Sequence, residues 1–316
     1  MAFNASFDQI VATTLKNYRP TLADNITGQQ ALIYLLKERG YFEERDGGET
    51  LVEPLLLGEN TTVKSYSGWD ILDISPQEGI SACEVDWKQI AGSVTINGRE
   101  EFQNSGSKTK IVSLLTSKVK QLEISMRNEI NEQMFSDGTG NGGKDLTGLA
   151  LIVEEGSAWS TYGGIDCNAD SIWRNVWLAE AGALDLASMR NMVNSVRKGK
   201  SACDLIITTQ TVYEDYEALT LANNDITRTN AKLGDAGFQN LEFKGIPMVY
   251  DEDCTSGYMY FLNSEYLKMA VGKGKYFTAT PFQRPDDQDS KVSQVLLFGN
   301  LLTMNRNRLA VLTGIT

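Results

Sequence analysis

Residues Ser107–Phe135 read SKTKIVSLLTSKVKQLEISMRNEINEQMF, and this stretch decides the fold because its apolar residues recur at helical spacing. Successive members lie three or four positions apart and therefore share one stripe of a helix: Ile111, Leu115, Val119, Leu122, Met126, Ile130 and Met134. The spacing predicts a single helix over 107–135, about 43 Å long at about 1.5 Å per residue. A stripe that faces a core explains these residues better than a cofactor site does.

The charges at the ends of this helix are opposite to those that a helix dipole favours. Lys108 and Lys110 lie in the first turn, and Asp137 lies just past the last turn. The mismatch costs about 0.3 kcal/mol per charge. We therefore treat these three side chains as candidates for contacts with partners beyond the helix.

Strand-like alternation precedes the helix. Residues 83–88 (CEVDWK) and 93–98 (SVTING) both alternate between apolar and polar side chains, with Gly92 between them as a candidate bulge or bend. Two extended arms joined through residues 57–80 predict a long β-hairpin. Because a lone two-stranded ribbon is marginally stable in water, we expect the hairpin to lie on a neighbouring subunit. A hairpin folded onto its own domain is the alternative that the pattern leaves open.

The remaining sequence predicts two N-terminal helices and a mixed α/β region after a glycine-rich turn. The predicted helices are 4–17, 27–39, 169–180, 185–198 and 210–220, and the predicted strands are 147–153, 204–209, 244–251 and 257–263, followed by further strands over 276–315. Trp173 and Trp177 would lie one helical turn apart, and we assign them to packing.

The composition is that of an ordered globular protein. The chain has 316 residues, of which 41% are hydrophobic and 22% charged. No apolar run approaches the length of a membrane-spanning helix, and the N-terminal residues lack the pattern of a secretory signal. The four cysteines, Cys83, Cys167, Cys203 and Cys254, are far apart with no CxxC pair, which indicates reduced thiols rather than a zinc site or disulfide framework.

The chain contains no histidine and has a formal net charge of −12. Without histidine, the most common general base and the most common metal ligand are missing, so an enzyme would depend on carboxylates, lysine or tyrosine. No cluster of lysine and arginine supports tight binding of duplex DNA. A protein that merely surrounds nucleic acid has no need of such a cluster.

The glycine-rich stretch Gly138–Asp145 (GTGNGGKD) fits the spacing of two phosphate-binding motifs but not their context. A Walker A loop needs Ser or Thr after its lysine and a strand before the loop, whereas Asp145 follows Lys144 and a helix precedes. The predicted role of Gly138 is that of a helix stop. An EF-hand over 137–148 fails because Gly148 occupies the position of the bidentate glutamate.

The remaining charged groups predict ordinary surface chemistry. The acidic groups at 251–253 and at 286, 287 and 289 are expected to lie in solvated loops rather than to hold a cation. Arg306 and Arg308 are candidates for pairing with such carboxylates across a subunit boundary.

Many short stretches of the chain, in order, resemble the major capsid proteins of tailed bacteriophages, the HK97-fold family. The resemblance covers about residues 80–316 and is carried by 85–140, 144–153, 161–175, 205–219, 235–254, 258–269 and 277–315. It implies an α+β HK97-like capsid fold. The first 80 residues match less distinctly.

The resemblance also implies a division of the chain. Residues 1–44 would form an N-terminal arm, and 45–103 an extended hairpin, the E-loop. The peripheral P-domain would comprise 104–149, including the spine helix 107–135, together with 270–300. The axial A-domain would comprise 150–269 and 301–316. Each E-loop would lie over the P-domain of a neighbour.

The implied function is that of a structural subunit, without enzymatic activity or cofactor, of an icosahedral phage capsid. Hexamers and pentamers of the chain would enclose the double-stranded DNA genome without sequence-specific contacts, with assembly in the cytoplasm of the bacterial host. The expected partners are a separate scaffolding protein, since 40 residues before the hairpin leave no room for a built-in one, a portal protein and a decoration protein. The alternatives are an encapsulin-type compartment and a nucleotide-binding enzyme acting through GTGNGGKD.

Some members of the family cross-link an E-loop lysine to an asparagine of a neighbour. Lys64 and Lys88 lie in the hairpin region, but no motif marks either as reactive, and we expect both to be ordinary surface lysines. The complete set of candidates for intersubunit contact is Lys64, Trp69, Trp87, Lys88, Lys108, Lys110, Asp137, Arg306 and Arg308.

Overall fold

A computed structural model describes residues 31–38, 41–104, 108–156, 159–222 and 241–316. The α-helices of these ranges are α1 (Ala31–Glu38), α2 (Gly98–Asn104), α3 (Lys108–Phe135), α4 (Gly140–Gly143), α5 (Leu149–Ile152), α6 (Leu186–Val196) and α7 (Gln210–Ala222). Short 3-10 helices cover Ser171–Trp173 and Arg306–Arg308. No helix in the described ranges combines the length and the apolar character needed to cross a membrane.

Fifteen strands form two large sheets and two small ones in the described ranges. They are β1 (Phe42–Arg45), β2 (Thr50–Leu56), β3 (Ile80–Asp86), β4 (Lys88–Asn97), β5 (Thr161–Tyr162), β6 (Ile165–Asp166), β7 (Val176–Gly182), β8 (Leu205–Thr208), β9 (Leu241–Phe243), β10 (Ile246–Tyr250), β11 (Met259–Leu262), β12 (Leu267–Gly272), β13 (Thr278–Ala279), β14 (Ser290–Thr303) and β15 (Ala310–Ile315).

The long helix α3, which we call the spine helix, confirms the prediction made from its stripe. It runs from Lys108 to Phe135, and Gly138 follows it with a positive φ of 78°. The stripe is buried toward its C-terminal end at Met126, Ile130 and Met134, whereas Val119 is exposed. The side chains of Ile111 and Leu115 lie outside the described residues.

The spine helix packs on a five-stranded sheet centred on β14. Strand β14 pairs with β4 on one side and with β12 and β13 on the other, all antiparallel, and β1 adds to β12 in parallel. The predicted bulge at Gly92 is wrong, because β4 pairs with β14 in unbroken register from Lys88 to Asn97. Glycine is present there for a different reason: Leu122 and Met126 of the spine helix pack against its Cα.

A six-stranded sheet in the order β7-β15-β11-β8-β10-β9 forms the second layer, with α6 and α7 beside it. The predicted helices 185–198 and 210–220 and the strands 204–209, 244–251 and 257–263 are confirmed as α6, α7, β8, β10 and β11. Of the predicted helix 27–39, residues 31–38 form α1, and residues 27–30 and 39 lie outside the described ranges. The predicted helix 4–17 also lies outside them.

Two predicted elements have the wrong type. Residues 147–153 form not a strand but the single helical turn α5, because Leu149 and Ile152 both turn into the core. Residues 169–180 form a 3-10 turn and strand β7 in place of a helix, because Val176–Gly182 pairs in parallel with the C-terminal β15. Trp173 and Trp177 are therefore not one helical turn apart, although Trp173 is buried as expected.

The predicted hairpin is present as β2 and β3, which pair with each other from Thr50↔Asp86 to Leu56↔Ile80. Strand β4, which follows directly, pairs with β14 in the five-stranded sheet. The two-stranded part of the excursion thus spans residues 50–86. The division of the chain into arm, E-loop, P-domain and A-domain stays a prediction.

Candidate intersubunit surface

The hairpin is anchored at its base and leaves the body of the chain beyond it. Along β2 and β3, Leu51, Leu55, Cys83 and Val85 point into the main core. The alternation of the strands places every second side chain on this buried face. Residues 57–79, which we call the hairpin tip, connect the two strands without helix or strand.

The hairpin tip exposes an unusual number of large apolar side chains. Trp69 is 100% exposed, Ile71 97% and Ile74 92%, and Val63, Tyr66 and Leu72 are also exposed. A soluble monomer scatters such residues singly, and a cluster of them marks a surface that another molecule covers. The tip is therefore the first candidate for an intersubunit contact.

Local hydrogen bonds hold the tip in shape. The Ser67 amide donates to Asp70 Oδ2 at 2.7 Å, and the Ser75 amide donates to Asp73 Oδ1 at 3.1 Å. Hydrogen bonds from Ser75, followed by that from Lys64 at 3.4 Å, lower the pKa of Asp73. The tip is thus a loop with its own polar contacts that carries its apolar residues outward.

Ion pairs fix the base of the hairpin to the five-stranded sheet. Arg45, at the end of β1, pairs with Glu53 of β2 and with Glu43, and Lys268 of β12 reaches Glu43 at 3.0 Å. The hydrogen bond from Lys268 lowers the pKa of Glu43, and the charge of Arg45 adds to the effect. This network sets the direction in which the hairpin leaves the sheet.

An apolar groove of about 670 Å³ runs between the spine helix, α1 and the five-stranded sheet. Its apolar walls include Ile33, Leu122, Met126, Tyr276, Phe277 and Val295, and Lys37, Glu123 and Arg127 lie at its rim. Arg127 and Glu123 pair with each other at 2.5 Å. The groove has the size and chemistry to take up apolar side chains from another segment.

The predicted contact residues fall into several environments. Lys64 and Trp69 lie in the tip, and Trp87 and Lys88 lie at the hairpin base, where Lys88 donates to the carbonyl of Gly143. Lys108 and Lys110 are in the first turn of the spine helix, as predicted, but their side chains lie outside the described residues.

Asp137 and Arg308 have partners within the chain. Asp137 accepts hydrogen bonds from the amide and hydroxyl of Thr139, and these bonds lower its pKa. Arg308 donates to the carbonyl of Lys198 at 2.8 Å and lies over the ring of Tyr266. Their predicted role at a subunit boundary stays a prediction.

The position of Arg306 contradicts the expectation that it pairs across a subunit boundary. Its side chain is fully buried, and its guanidinium forms an ion pair with Glu154 at 2.9 Å inside the same chain. It also donates to the carbonyls of Ile152 and Leu151 and to Cys167 Sγ. A guanidinium that is enclosed in this way is out of reach of a neighbour.

Asp251 also departs from the sequence prediction, which placed it in a solvated loop. The structure buries it completely, and its carboxylate accepts from the Ala31 amide at the start of α1 and from Asn131 of the spine helix, at 3.0 and 2.7 Å. Burial raises its pKa to about 6, although the bond from Asn131 opposes this. Asp251 thus joins three elements, a role that no local motif signals.

The glycine-rich stretch does not have the geometry of a phosphate-binding loop. It follows the spine helix directly, and Asn141 and Gly142 have left-handed backbone angles within α4. Within the described ranges, no group of three or more Cys, Asp or Glu side chains is placed to hold a metal ion. The stretch serves as a turn between the spine helix and α5.

Solved structures share this architecture over nearly their whole length. The chain superposes on the capsid asymmetric unit of cyanophage A-1(L) with a TM-score of 0.73 and 16% identity, covering 96% of this chain and 97% of the other. The capsid of Myoviridae phage XM1 superposes with a TM-score of 0.58 and 11% identity, covering 96% of this chain and 98% of the other. The holo-SrpI encapsulin complex of Synechococcus elongatus PCC 7942 superposes with a TM-score of 0.64 and 12% identity, covering 98% of this chain and 96% of the other.

Sequence comparisons add nothing to these structural ones. No protein-family model matches the chain, and no curated protein matches its sequence. At identities this low the likeness shows the fold. The α+β HK97-like capsid fold predicted from the sequence is confirmed, and the chain has the architecture of phage capsid and encapsulin subunits.

Proposed function

We propose that this chain is the structural subunit of an icosahedral bacteriophage capsid, which assembles through hexamers and pentamers around double-stranded DNA. The observation that carries the proposal is the hairpin tip, whose apolar side chains are exposed in the single chain. Fully burying one large apolar side chain contributes about 1.5–3 kcal/mol. The six exposed side chains of the tip therefore represent about 9–18 kcal/mol of apolar burial before the costs of association are subtracted.

The apolar groove supports a head-to-tail contact between copies. The tip and the groove are different surfaces of the chain, so a tip laid over the spine helix of a neighbour joins unlike patches. Contacts between unlike patches repeat around a ring until it closes, as hexamers and pentamers require. The contact thus supplies a physical route from one chain to a shell.

The net charge of −12 supports enclosure of DNA without tight binding, because an acidic wall offers few cations for phosphates. We expect a separate scaffolding protein, a portal protein and a decoration protein as partners, with assembly in the bacterial cytoplasm. We expect no catalytic activity. Calorimetry with ATP should therefore show no binding that Lys144→Ala removes.

Electron microscopy of the purified protein, alone and co-expressed with a candidate scaffold, tests the proposal directly. Closed particles, or rings of five and six copies, are expected. The triple variant Trp69→Ser, Ile71→Ser, Ile74→Ser should stay unassembled, and Ile172→Ser, at an exposed position outside the hairpin, serves as the control. A small oligomer of constant size under every condition would refute the proposal.

An encapsulin-type compartment is the second candidate, because the SrpI encapsulin complex shares the fold. The two functions differ in what the shell encloses. Nuclease-protected DNA in particles from the native source supports the capsid, and a protein cargo supports the compartment.

A further inference from the structure

A second surface at the base of the hairpin has a different character from the apolar groove. A cleft of about 1120 Å³ opens where β1 and β12 end and β4 begins. Five cationic side chains line it, together with three acidic ones: Arg45, Lys88, Lys144, Lys273 and Lys275, and Asp46, Glu49 and Asp86. In a chain with a net charge of −12, this excess of positive charge is local.

Three of the five cations are not neutralised. Arg45 pairs with Glu53, and Lys273 pairs with Asp46 at 3.0 Å. Among the described residues, no carboxylate forms an ion pair with the other three, Lys88, Lys144 and Lys275. The ammonium groups of Lys144 and Lys275 are left for a partner of opposite charge.

Two buried hydrogen-bond donors in the cleft also lack acceptors. The Nε of Arg45 and the indole Nε1 of Trp87 are both inaccessible to solvent and have no partner among the described residues. A buried donor that stays unpaired costs about 1–3 kcal/mol. Because these two N–H groups are closed off from solvent, the accessible cations are what define the cleft as a site for oxygen acceptors with negative charge.

The loop 284–289 presents that chemistry elsewhere on the same sheet. It reads RPDDQD, and every residue except Pro285 has a polar side chain. Arg284 pairs with Asp289, whereas Asp286 and Asp287 are exposed and have no ion pair among the described residues. The two adjacent carboxylates thus carry the charge opposite to that of the two lysines without an ion pair.

The loop and the cleft of one chain are held apart by β14. The loop is followed directly by Ser290, the first residue of β14, and the cleft wall includes Phe298, eight positions further along the same strand. Eight residues of strand span about 26 Å. A contact between the loop and the cleft therefore joins two copies of the chain.

We propose that the cleft receives the 284–289 loop of a second copy, with Asp286 and Asp287 pairing with Lys144 and Lys275. The inference rests on the proposed function, since it adds a polar contact to the same assembly. The hairpin tip is the poorer occupant, because Asp70 already accepts a hydrogen bond from the Ser67 amide within the tip and the exposed face of the tip is apolar.

Charge reversal tests the contact. Lys144→Glu with Lys275→Glu, and separately Asp286→Lys with Asp287→Lys, should each lower the yield of closed particles about tenfold or more, as loss of close charge pairs across an interface does. The variant that combines all four changes should recover particles, because the charges again match. The adjacent reversals Glu214→Lys and Asp215→Lys, on the exposed side of α7, are the matched control.

The outcomes separate this inference from the proposed function. If wild-type protein forms no particles, the proposed function fails. If wild-type protein assembles and the cleft reversal assembles equally well, or the fourfold variant does not recover, only this inference fails. Recovery of the cleft reversal by Asp70→Lys with Asp73→Lys instead would assign the cleft to the hairpin tip and overturn the assignment to the loop. Circular dichroism establishes that each variant is folded.

Discussion

Two buried charged residues hold together parts of the chain that lie far apart in sequence. Arg306, near the C-terminus, binds Glu154 and the carbonyls at the end of α5. Asp251 binds the start of α1 and the C-terminal part of the spine helix. Both residues are surrounded by partners that would be left unpaired if the side chain were removed, so their loss costs more than the loss of a surface ion pair.

Arg306→Ala should lower the free energy of unfolding by about 3–5 kcal/mol, because it leaves the buried Glu154 carboxylate without its ion-pair partner and the carbonyls of Leu151 and Ile152 without this donor. Urea denaturation of dissociated subunits measures this change. Arg308→Ala, which removes one hydrogen bond to a carbonyl and a ring contact, should cost about 1 kcal/mol. Equal effects of the two substitutions would contradict the structural role of Arg306.

The raised pKa of Asp251 predicts that its contribution to stability falls as pH rises, which is the opposite of the usual behaviour of a carboxyl group. Its pKa is about 6 in the folded chain and about 3.8 unfolded, so between these values the folded state holds the additional proton. The contribution of this carboxyl to stability therefore falls as pH rises from about 4 to about 6, by up to about 3 kcal/mol. Below about pH 4 and above about pH 6 the contribution is constant.

Unfolding of wild type and Asp251→Asn at pH 4.5 and pH 7 measures this contribution. Wild type should lose more stability than the variant between the two values. The stability contribution of Glu43, whose pKa is lowered, changes with pH in the opposite direction. Because both proteins contain Glu43, this contribution cancels in the comparison. An identical pH dependence of the two proteins would show that Asp251 does not titrate in this range.

At the scale of elements, the spine helix and β4 form a close contact that a single glycine permits. A Cβ at Gly92 would lie 3.0 Å from Met126 Sδ and closer still to Leu122 Cδ1. Interiors are packed densely enough that an added methyl group displaces its neighbours. The sequence predicted a bulge or bend at Gly92 because a glycine within a strand often marks one. The structure gives a different reason for the glycine, which is the close approach of the spine helix.

Gly92→Ala should destabilise the chain by about 1–3 kcal/mol through overpacking. The added substitution Leu122→Ala should recover part of the loss, because it removes the side chain that the new methyl group meets. Thermal or urea unfolding of the three proteins gives the comparison. Gly68→Ala, where nothing lies within 4 Å, is the control and should be neutral.

At the scale of the molecule, the chain combines two sheets with a hairpin that takes no part in either. The five-stranded sheet carries the spine helix, and the six-stranded sheet includes the last strand of the chain. Strand β14 leads directly from one sheet toward the other through Arg306. The body is therefore complete without the hairpin tip, and this is the arrangement expected of a surface reserved for assembly.

Replacing residues 57–79 with Asn-Gly should yield a folded subunit that does not form closed particles. Asn-Gly supplies the two-residue turn that joins antiparallel strands such as β2 and β3. Circular dichroism and urea unfolding measure the fold, and sedimentation velocity with electron microscopy measures assembly. Closed particles from this variant would refute the role of the tip.

The sequence alone determined the spine helix, the hairpin and the α/β order of the second sheet, because periodicity and turn residues are local signals, and its resemblance to a known family indicated the capsid-like fold. It did not determine the type of 147–153 or 169–180, where pairing with β15 and burial against the core outweigh local preference. Nor did it reveal that Arg306 and Asp251 are buried, since their partners lie about 120–220 positions away. Only the tertiary structure brings such groups together, and it therefore decides which charges hold the body and which remain for a neighbour.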